Sequence, residues 1–476
     1  MKKIIVAVIL LLALCLNMVS MVSCNKNVNK EADFVVPEEG FDTSTPITIT
    51  FYHTMGQNLR DVLDRYIVEF NKLYPNITVN HQQVGGYDDV RDQIKTEIAV
   101  GAQPNIAYCY PDHVALYNMA KATISLDNLI ASEISVTRGD GSTDTLGLTQ
   151  AQIDDFIKGY YEEGKQFGDD KMYTLPLSKS TEVLYYNKTF FDANGIAVPT
   201  TWDELEAVCA KIKEIDPDSI PLGYDSESNW FITMCEQLGS DYTSATGDHF
   251  LFDNETNHEF VAKFREWYQK GYVTTQEISG GYTSSLFTKA TTEAGNSYMS
   301  IGSSAGATHQ RPAKVNGEYP FEVGISTVPQ MDASKPKVIS QGPSLCIFKK
   351  DNPQEVIASW LFVKYLTTTV EFQAEFSMAS GYVPVIKSVG ENEIYKNEFL
   401  NKADGGDFIS ALSAKVCLEQ ESAYYTSPAF NGSSTARDQV GLLMQKCLSG
   451  DAGGDVAKMI KKAFEDAISE CRYQAG

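Results

Sequence analysis

The chain is 476 residues long, carries a formal net charge of −23 and is 43% hydrophobic. That length holds two domains with cores of their own, and the acidic balance excludes the basic footprint that nucleic-acid binding needs. After the first two dozen residues no apolar run approaches the roughly 20 residues that span a bilayer, so the mature part is expected to be soluble.

Residues 1–24 read as a targeting leader. Lys2-Lys3 supplies its positive end, Ile4 to Leu16 its apolar stretch, and Met21-Val22-Ser23-Cys24 sets a small residue before a cysteine. The last four resemble a bacterial lipobox, which implies a lipid on Cys24 and an extracytoplasmic chain anchored to the outer face of the cell membrane. Residues 25–46 are polar and acidic without periodicity and read as a flexible tether. Of nine cysteines, Cys15 leaves with the leader and Cys24 is lipidated; the others are scattered without a CxxC pair. They make neither a disulfide framework nor a zinc site and are expected to be small buried residues.

Ile47 to Tyr52 alternates as a strand, and Leu59, Val62, Leu63, Tyr66, Ile67, Phe70 and Leu73 follow at helical spacing, halted before Pro75. Ile77-Thr78-Val79 is the next strand and Gly85-Gly86-Tyr87 a loop. Val90, Ile94 and Ile98 mark a second helix, Ile106 to Tyr110 a third strand, and Ala115 to Ala120 another helix. Strand alternating with helix is the grammar of an α/β layer with a mostly parallel sheet. Ligands of such sheets sit beyond the carboxyl ends of the strands, which here carry Tyr52 and His53, Tyr87, and Tyr110-Pro111-Asp112.

From Leu175 to Leu205 the chain leaves one compact unit and enters another. Leu175-Pro176-Leu177 precedes the hydroxyls of Ser178, Ser180 and Thr181, then the strand-like Val183 to Tyr186 and a short helix stopped by Gly195. Thr201 and Glu204 form a capping box, so a helix starts at Trp202 and buries Leu205, Val208, Cys209 and Ile212. Ile220 to Tyr224 reads as a strand, Asn229-Trp230-Phe231 as a loop-to-helix junction, and Phe260, Val261, Phe264, Trp267 and Tyr268 as a helical stripe. Tyr298 to Gly302 and Val323 to Ile325 are further strands. The second unit repeats the theme of the first, which implies a cleft between two lobes.

Tyr185-Tyr186-Asn187-Lys188, Gly195 and Pro199-Thr200-Thr201-Trp202-Asp203-Glu204-Leu205, in that order, resemble the extracellular solute-binding proteins of sugar-type ABC importers. The resemblance runs from about Ile47 to Cys471. It implies a two-lobe periplasmic-binding-protein-like fold, each lobe a mostly parallel sheet flanked by helices, with the ligand cleft between lobes. It sets lobe 1 at 47–180 and 338–386 and lobe 2 at 181–337 and 387–476, with Val338 to Phe348 as a returning strand. Gly302 to Gly306, Gly342 to Leu345, Gly381 to Pro384 and Arg437 are similar in order and spacing to ligand-contacting segments of the glycerol-3-phosphate-binding subgroup. Carried over by position, these implicate Tyr87, Ser180, Trp230, Ser303, Gly342, Tyr382 and Arg437. Where that subgroup has an acidic residue after the third strand this chain has Pro111, with Asp112 next to it.

Those residue types suit a solute with C–H on one face and hydroxyls on the other. Tyrosine and tryptophan offer a flat apolar face with a polar edge, serines donate to oxygens, and Arg437 presents a planar fork to a phosphate. Each has a structural reading beside it. Trp202, Trp267 and Trp360 lie on apolar helical faces and are expected in cores, Asp112 can cap the helix after it, Arg437 can pair with a surface carboxylate, and Trp230 stands between stacking on ligand and packing. The expected protein is a monomeric receptor, not an enzyme, that carries an oligosaccharide, glycerol 3-phosphate or a glycerophosphodiester to its ABC permease subunits without a cofactor or metal. A secreted carbohydrate-active hydrolase or a surface adhesin is the alternative. Sixty-two Asp and Glu residues make carboxylate pairs unavoidable, so their presence alone does not favour a hydrolase, and there is no HExxH or GxxxxGK[ST].

Overall fold

Three short strands set the first lobe: β1 (Ile47–His53) pairs in parallel with β2 (Ile77–Gln83) and with β3 (Ile106–Cys109). They belong to a computed structural model that describes residues 33–289, 294–402 and 409–475. Helix α1 (Gln57–Leu73) buries Val62, Leu63, Tyr66 and Phe70, and α2 (Tyr87–Ile98) buries Val90 and Ile94, so the periodicity read from sequence is the face that meets the sheet. Tyr87, expected in a loop, is the first residue of α2. Helix α3 (Pro111–Met119) opens on a proline, whose missing N–H is harmless in a first turn.

The chain then runs through β4 (Thr174–Pro176), β5 (Ser180–Asn187), α4 (Trp202–Ile215), β6 (Leu222–Tyr224), α5 (Glu227–Leu238), α6 (Glu255–Gln269), β7 (Val273–Thr275), β8 (Met299–Ser303) and β9 (Val323–Ser326). It continues through β10 (Val338–Gln341), β11 (Ser344–Ile347), α7 (Pro353–Thr368), α8 (Val370–Ser380), α9 (Ile409–Glu419), β12 (Tyr424–Tyr425), α10 (Ser433–Ser449) and α11 (Val456–Ala475). The capping box is present: Glu204 N donates to Thr201 Oγ1 at 3.3 Å and Thr201 N to Glu204 Oε2 at 3.2 Å.

One sheet has the order β2-β1-β3-β11-β4, the other β12-β10-β5-β8-β6-β7 with β9 also on β5. Both are mixed, where a mostly parallel arrangement is expected from sequence. Parallel pairs occur where a helix returns the chain to the same end. The strands at the passage between lobes enter from the other side, so β11 runs antiparallel to β3 and β4, and β5 antiparallel to β8, β9 and β10.

The returning strand expected over Val338 to Phe348 is two strands in two sheets. They part at Gly342, whose φ is 99° and where a Cβ would lie 2.5 Å from the Ser178 carbonyl oxygen, so glycine alone fits where the two crossing segments touch. Beside it the fully buried Lys179 Nζ donates to Glu163, to the Gly342 carbonyl at 3.1 Å and to Ser344 Oγ at 3.0 Å.

The leader, Cys24 and residues 25–32 lie outside the described residues. The rest of the expected tether, 33–46, is not loose but docked on the first lobe: Phe41 is buried, Phe34 and Val36 pack on the core, and Asp42 N donates to Gln354 Oε1 at 2.8 Å. The apolar residues scattered through this acidic stretch outweigh its polar composition. All four tryptophans and the cysteines of the described residues are buried. Among the described residues no helix is long and apolar enough to cross a membrane.

Candidate functional site

The first turn of α5 follows directly from β6, and Ser226 caps it by accepting from Asn229 N at 3.2 Å. That register turns Asn229 toward the end of the second sheet and its neighbour Trp230 away from it. Two cavities open there, sharing a wall made by Gln341 at the end of β10 and Arg437 on α10. The larger, about 580 Å³, is lined among others by Glu182, Asp225, Asn229, Tyr282, Ser303 and His309. The smaller, about 130 Å³, is lined by Tyr110, Asp112, Glu163, Tyr242 and Ser340 among others. Asp225 and Ser303 stand at the carboxyl ends of the parallel strands β6 and β8, the end of an α/β sheet where ligands sit.

Arg437 is aimed by a relay. Its Nη2 donates to Asn229 Oδ1, and Asn229 Nδ2 donates to Glu182 Oε1 at 2.8 Å. The Tyr224 hydroxyl donates to Glu182 Oε2 at 2.6 Å. Burial pushes the Glu182 carboxyl up to about 7, against the pull of Tyr224, Asn229 and Arg437. Asp225 is also raised by burial, although Thr283 donates to it through backbone and hydroxyl at 2.6 and 2.7 Å.

The raised Glu182 has a consequence for stability. The folded chain keeps a proton that the unfolded chain releases near the ordinary 4.5. The contribution is therefore complete below 4.5 and lost as pH rises to about 7, a change of about 3 kcal/mol for a 2.5-unit difference. Denaturant unfolding of the native protein and of Glu182→Gln between pH 4.5 and 8 checks this. The two curves should converge or cross by about that amount, and parallel curves would remove Glu182 as the source.

Asp112 stands in the first turn of α3, and the Ser434 hydroxyl of α10 donates to its carboxylate. Since α10 packs on α5, α6 and α11, this contact joins a helix of the first sheet to the helical layer of the second. Burial raises the Asp112 carboxyl, but His113, Ser434 and Arg437 outweigh burial and hold it below the usual range. Glu163 is raised by burial, which Lys179 only partly counters.

The structure gathers three of the sequence-derived residues on the cavity walls: Asp112, Ser303 and Arg437. Four others stand behind the wall. Tyr87 and Tyr382 meet hydroxyl to hydroxyl at 3.4 Å, and the Tyr87 ring lies 4.5 Å from that of Tyr110, which does face the cavity. Ser180 is buried opposite Gln341 in the ladder, next to Gly342 at the crossing.

Tyr52, His53 and Trp230 lie elsewhere. Tyr52 sends its hydroxyl to Glu97 on α2 at 3.3 Å, and His53 is buried against His81, ring nitrogen to ring nitrogen at 2.8 Å. Alternation along β1 aims these two at opposite faces of the sheet rather than beyond its end. Trp230 is fully buried, its ring 5.0 Å from Tyr224 and 4.1 Å from Phe264. Its stripe on α5 continues through Phe231, Met234 and Cys235, all buried.

Glu182, Asn229, Asp225 and Gln341 were not singled out from sequence. Glu182 had a signal: a carboxylate directly before the apolar run Val183-Leu184-Tyr185-Tyr186, on the same strand, must find partners when buried. Asn229 had one too, since Ser226 as a cap fixes which of Asn229 and Trp230 faces the core. Among the described residues no group of three or more His, Cys, Asp or Glu side chains is arranged to hold a metal.

The bacterial extracellular solute-binding protein family matches residues 65–403. The sn-glycerol-3-phosphate-binding periplasmic protein UgpB of Shigella flexneri is 24% identical over 363 residues, 72% of this chain and 75% of that protein. UgpB from Mycobacterium tuberculosis, solved in complex with glycerophosphocholine, superposes with a TM-score of 0.68 at 17% identity, covering 90% of this chain and 99% of that one. The sugar-binding protein MalE from Xanthomonas citri gives 0.68 at 18% identity, covering 90% and 98%. With a family match over most of its length and two α/β lobes that meet at a polar cavity, the chain belongs to the bacterial extracellular solute-binding proteins.

Proposed function

We propose that this chain is the substrate-binding lipoprotein of an ABC importer, which closes two lobes on a solute of carbohydrate or glycerol-phosphate type and delivers it unchanged to a membrane permease. The lobes are residues 47–180 with 338–386 and 181–337 with 387–476, save that β10 (Val338–Gln341) lies in the second sheet and so goes with the second lobe. Cys24 carries the lipid, and the receptor works as a monomer. The observation that carries the reading is the shared wall of Gln341 and Arg437, with hydrogen-bonding groups of both lobes converging on it.

A ligand that touches both lobes binds the closed form better than the open one and shifts the population toward it. The named relatives, a glycerol-3-phosphate-binding protein and a sugar-binding protein, support the two solute classes. No chemistry on the ligand is needed. Each carboxylate on the cavity walls is already engaged: Glu182 by Tyr224 and Asn229, Glu163 by Lys179, Asp112 by Ser434, and Asp225 by Thr283.

Thermal unfolding against maltose-type sugars, other oligosaccharides, glycerol 3-phosphate and glycerophosphocholine tests the proposal. A ligand at a hundred times its dissociation constant should stabilise the protein by about 2.7 kcal/mol. Arg437→Ala should abolish that shift for a phosphate-bearing ligand. A panel in which nothing raises the midpoint would sink the reading.

A further inference from the structure

The walls of the two cavities are unbalanced in charge. Among the described residues that line them, Arg437 is the one lysine or arginine, against Asp112, Glu163, Glu182 and Asp225. Glu163 is matched by Lys179 behind the wall. That leaves three acidic groups facing one guanidinium, and one of them, Glu182, which is mostly ionised at pH 7.5, acts on Arg437 through Asn229, whose amide is fixed at both ends.

We infer that this cleft selects solutes bearing no more than one negative charge, and that Glu182 is the residue that sets the limit. The inference deepens the solute-receptor reading above and rests on it. A neutral sugar or a glycerophosphodiester fits the balance: hydroxyls donate to the carboxylates, and a single phosphodiester charge meets the single guanidinium. A phosphate monoester does not fit, because near neutral pH it carries a charge of about −1.5 to −2. The second charge meets no further lysine or arginine on the wall and lies among carboxylates. The formal charge of −23 on the whole chain adds a field that opposes its approach.

Glu182 stands out from the other two because its position is internal. Asp112 is held by Ser434 at the meeting of the lobes and Asp225 by Thr283, whereas Glu182 is held by the buried Tyr224 and by Asn229, the residue on the larger cavity's wall that also receives Arg437. Protonating or neutralising it leaves the Arg437 charge available to the ligand. Glu182 is thus a positioning residue for Arg437 as well as a counter-charge to it.

The test is calorimetric titration of the native protein and of Glu182→Gln and Asp225→Asn with glycerol 3-phosphate, glycerophosphocholine and maltotriose at pH 7.5, with thermal midpoints recorded to establish folding. The native protein is expected to bind one of the last two at least tenfold more tightly than glycerol 3-phosphate. Glu182→Gln should raise affinity for glycerol 3-phosphate about tenfold relative to the other two, with Asp225→Asn moving it the same way by less. Native binding of glycerol 3-phosphate as tight as that of the diester and the sugar would overturn the inference while leaving the receptor reading in place. An unchanged ratio in both folded variants would overturn the part assigned to these carboxylates, and if Glu182→Gln does not fold, the native preference and Asp225→Asn still decide. If no compound binds any form, the receptor reading fails and this inference with it.

Discussion

Lys179→Ala is expected to destabilise the protein by about 3–5 kcal/mol, the penalty of removing one partner from a buried ion pair. Lys179 has no exposed surface and its ammonium holds three groups at once: the Glu163 carboxylate, the Gly342 carbonyl and the Ser344 hydroxyl. Two of those three belong to the segment that passes between the sheets. Without the ammonium, Glu163 keeps its burial and loses the one group that favours its charge, so it takes up a proton or draws in water. Replacing both partners, as in Lys179→Met with Glu163→Gln, should return most of the loss, because the penalty comes from the unpaired charge rather than from the missing bridge. Urea unfolding of the three proteins at pH 7 distinguishes these: a double variant as unstable as the single one would place the cost in the crossing geometry instead.

The fold was legible where one face of an element is buried and the other is wet. α1, α2 and α4 show their buried faces as a 3.6-residue period, and the cap at Thr201 and Glu204 fixes where α4 begins. Strand direction was not legible in the same way. β10 and β11 read as one returning strand in sequence, although Gly342-Pro343 between them is a break signal, and the close contact of Gly342 with Ser178 lies where they part into two sheets. The docked segment 33–46 was missed for a related reason: its few apolar residues have no period, and its partners are distant in sequence, Tyr74 for the Phe41 ring and Gln354 for the Asp42 backbone. At the site, the family resemblance pointed to Arg437 and Ser303 and the end of the third strand to Asp112, and all three line the cavities. It failed for Tyr52 and His53, where the end of a strand in sequence is not the end of the sheet in space.

Trp230→Ala is expected to cost about 3–5 kcal/mol of stability through the cavity it leaves, while the pattern of ligands that stabilise the protein stays the same. The ring is enclosed by Tyr224, Phe264 and Trp202, at centroid distances of 5.0, 4.1 and 6.3 Å, so its removal loosens the core beneath α5. Asn229→Ala should do the reverse. Residue 229 is one helical step of about 100° from residue 230, and its amide is the link between Glu182 and Arg437. Loss of that link frees the guanidinium to turn toward either carboxylate and leaves a Glu182 oxygen without its donor. Ligand affinity should fall at least tenfold in Asn229→Ala, with a stability loss nearer 1–3 kcal/mol, the penalty of an unsatisfied buried acceptor. Unfolding midpoints with and without a saturating ligand, taken on both variants, separate the two roles. A tenfold affinity loss in folded Trp230→Ala with none in Asn229→Ala would exchange them and return the tryptophan to the cleft.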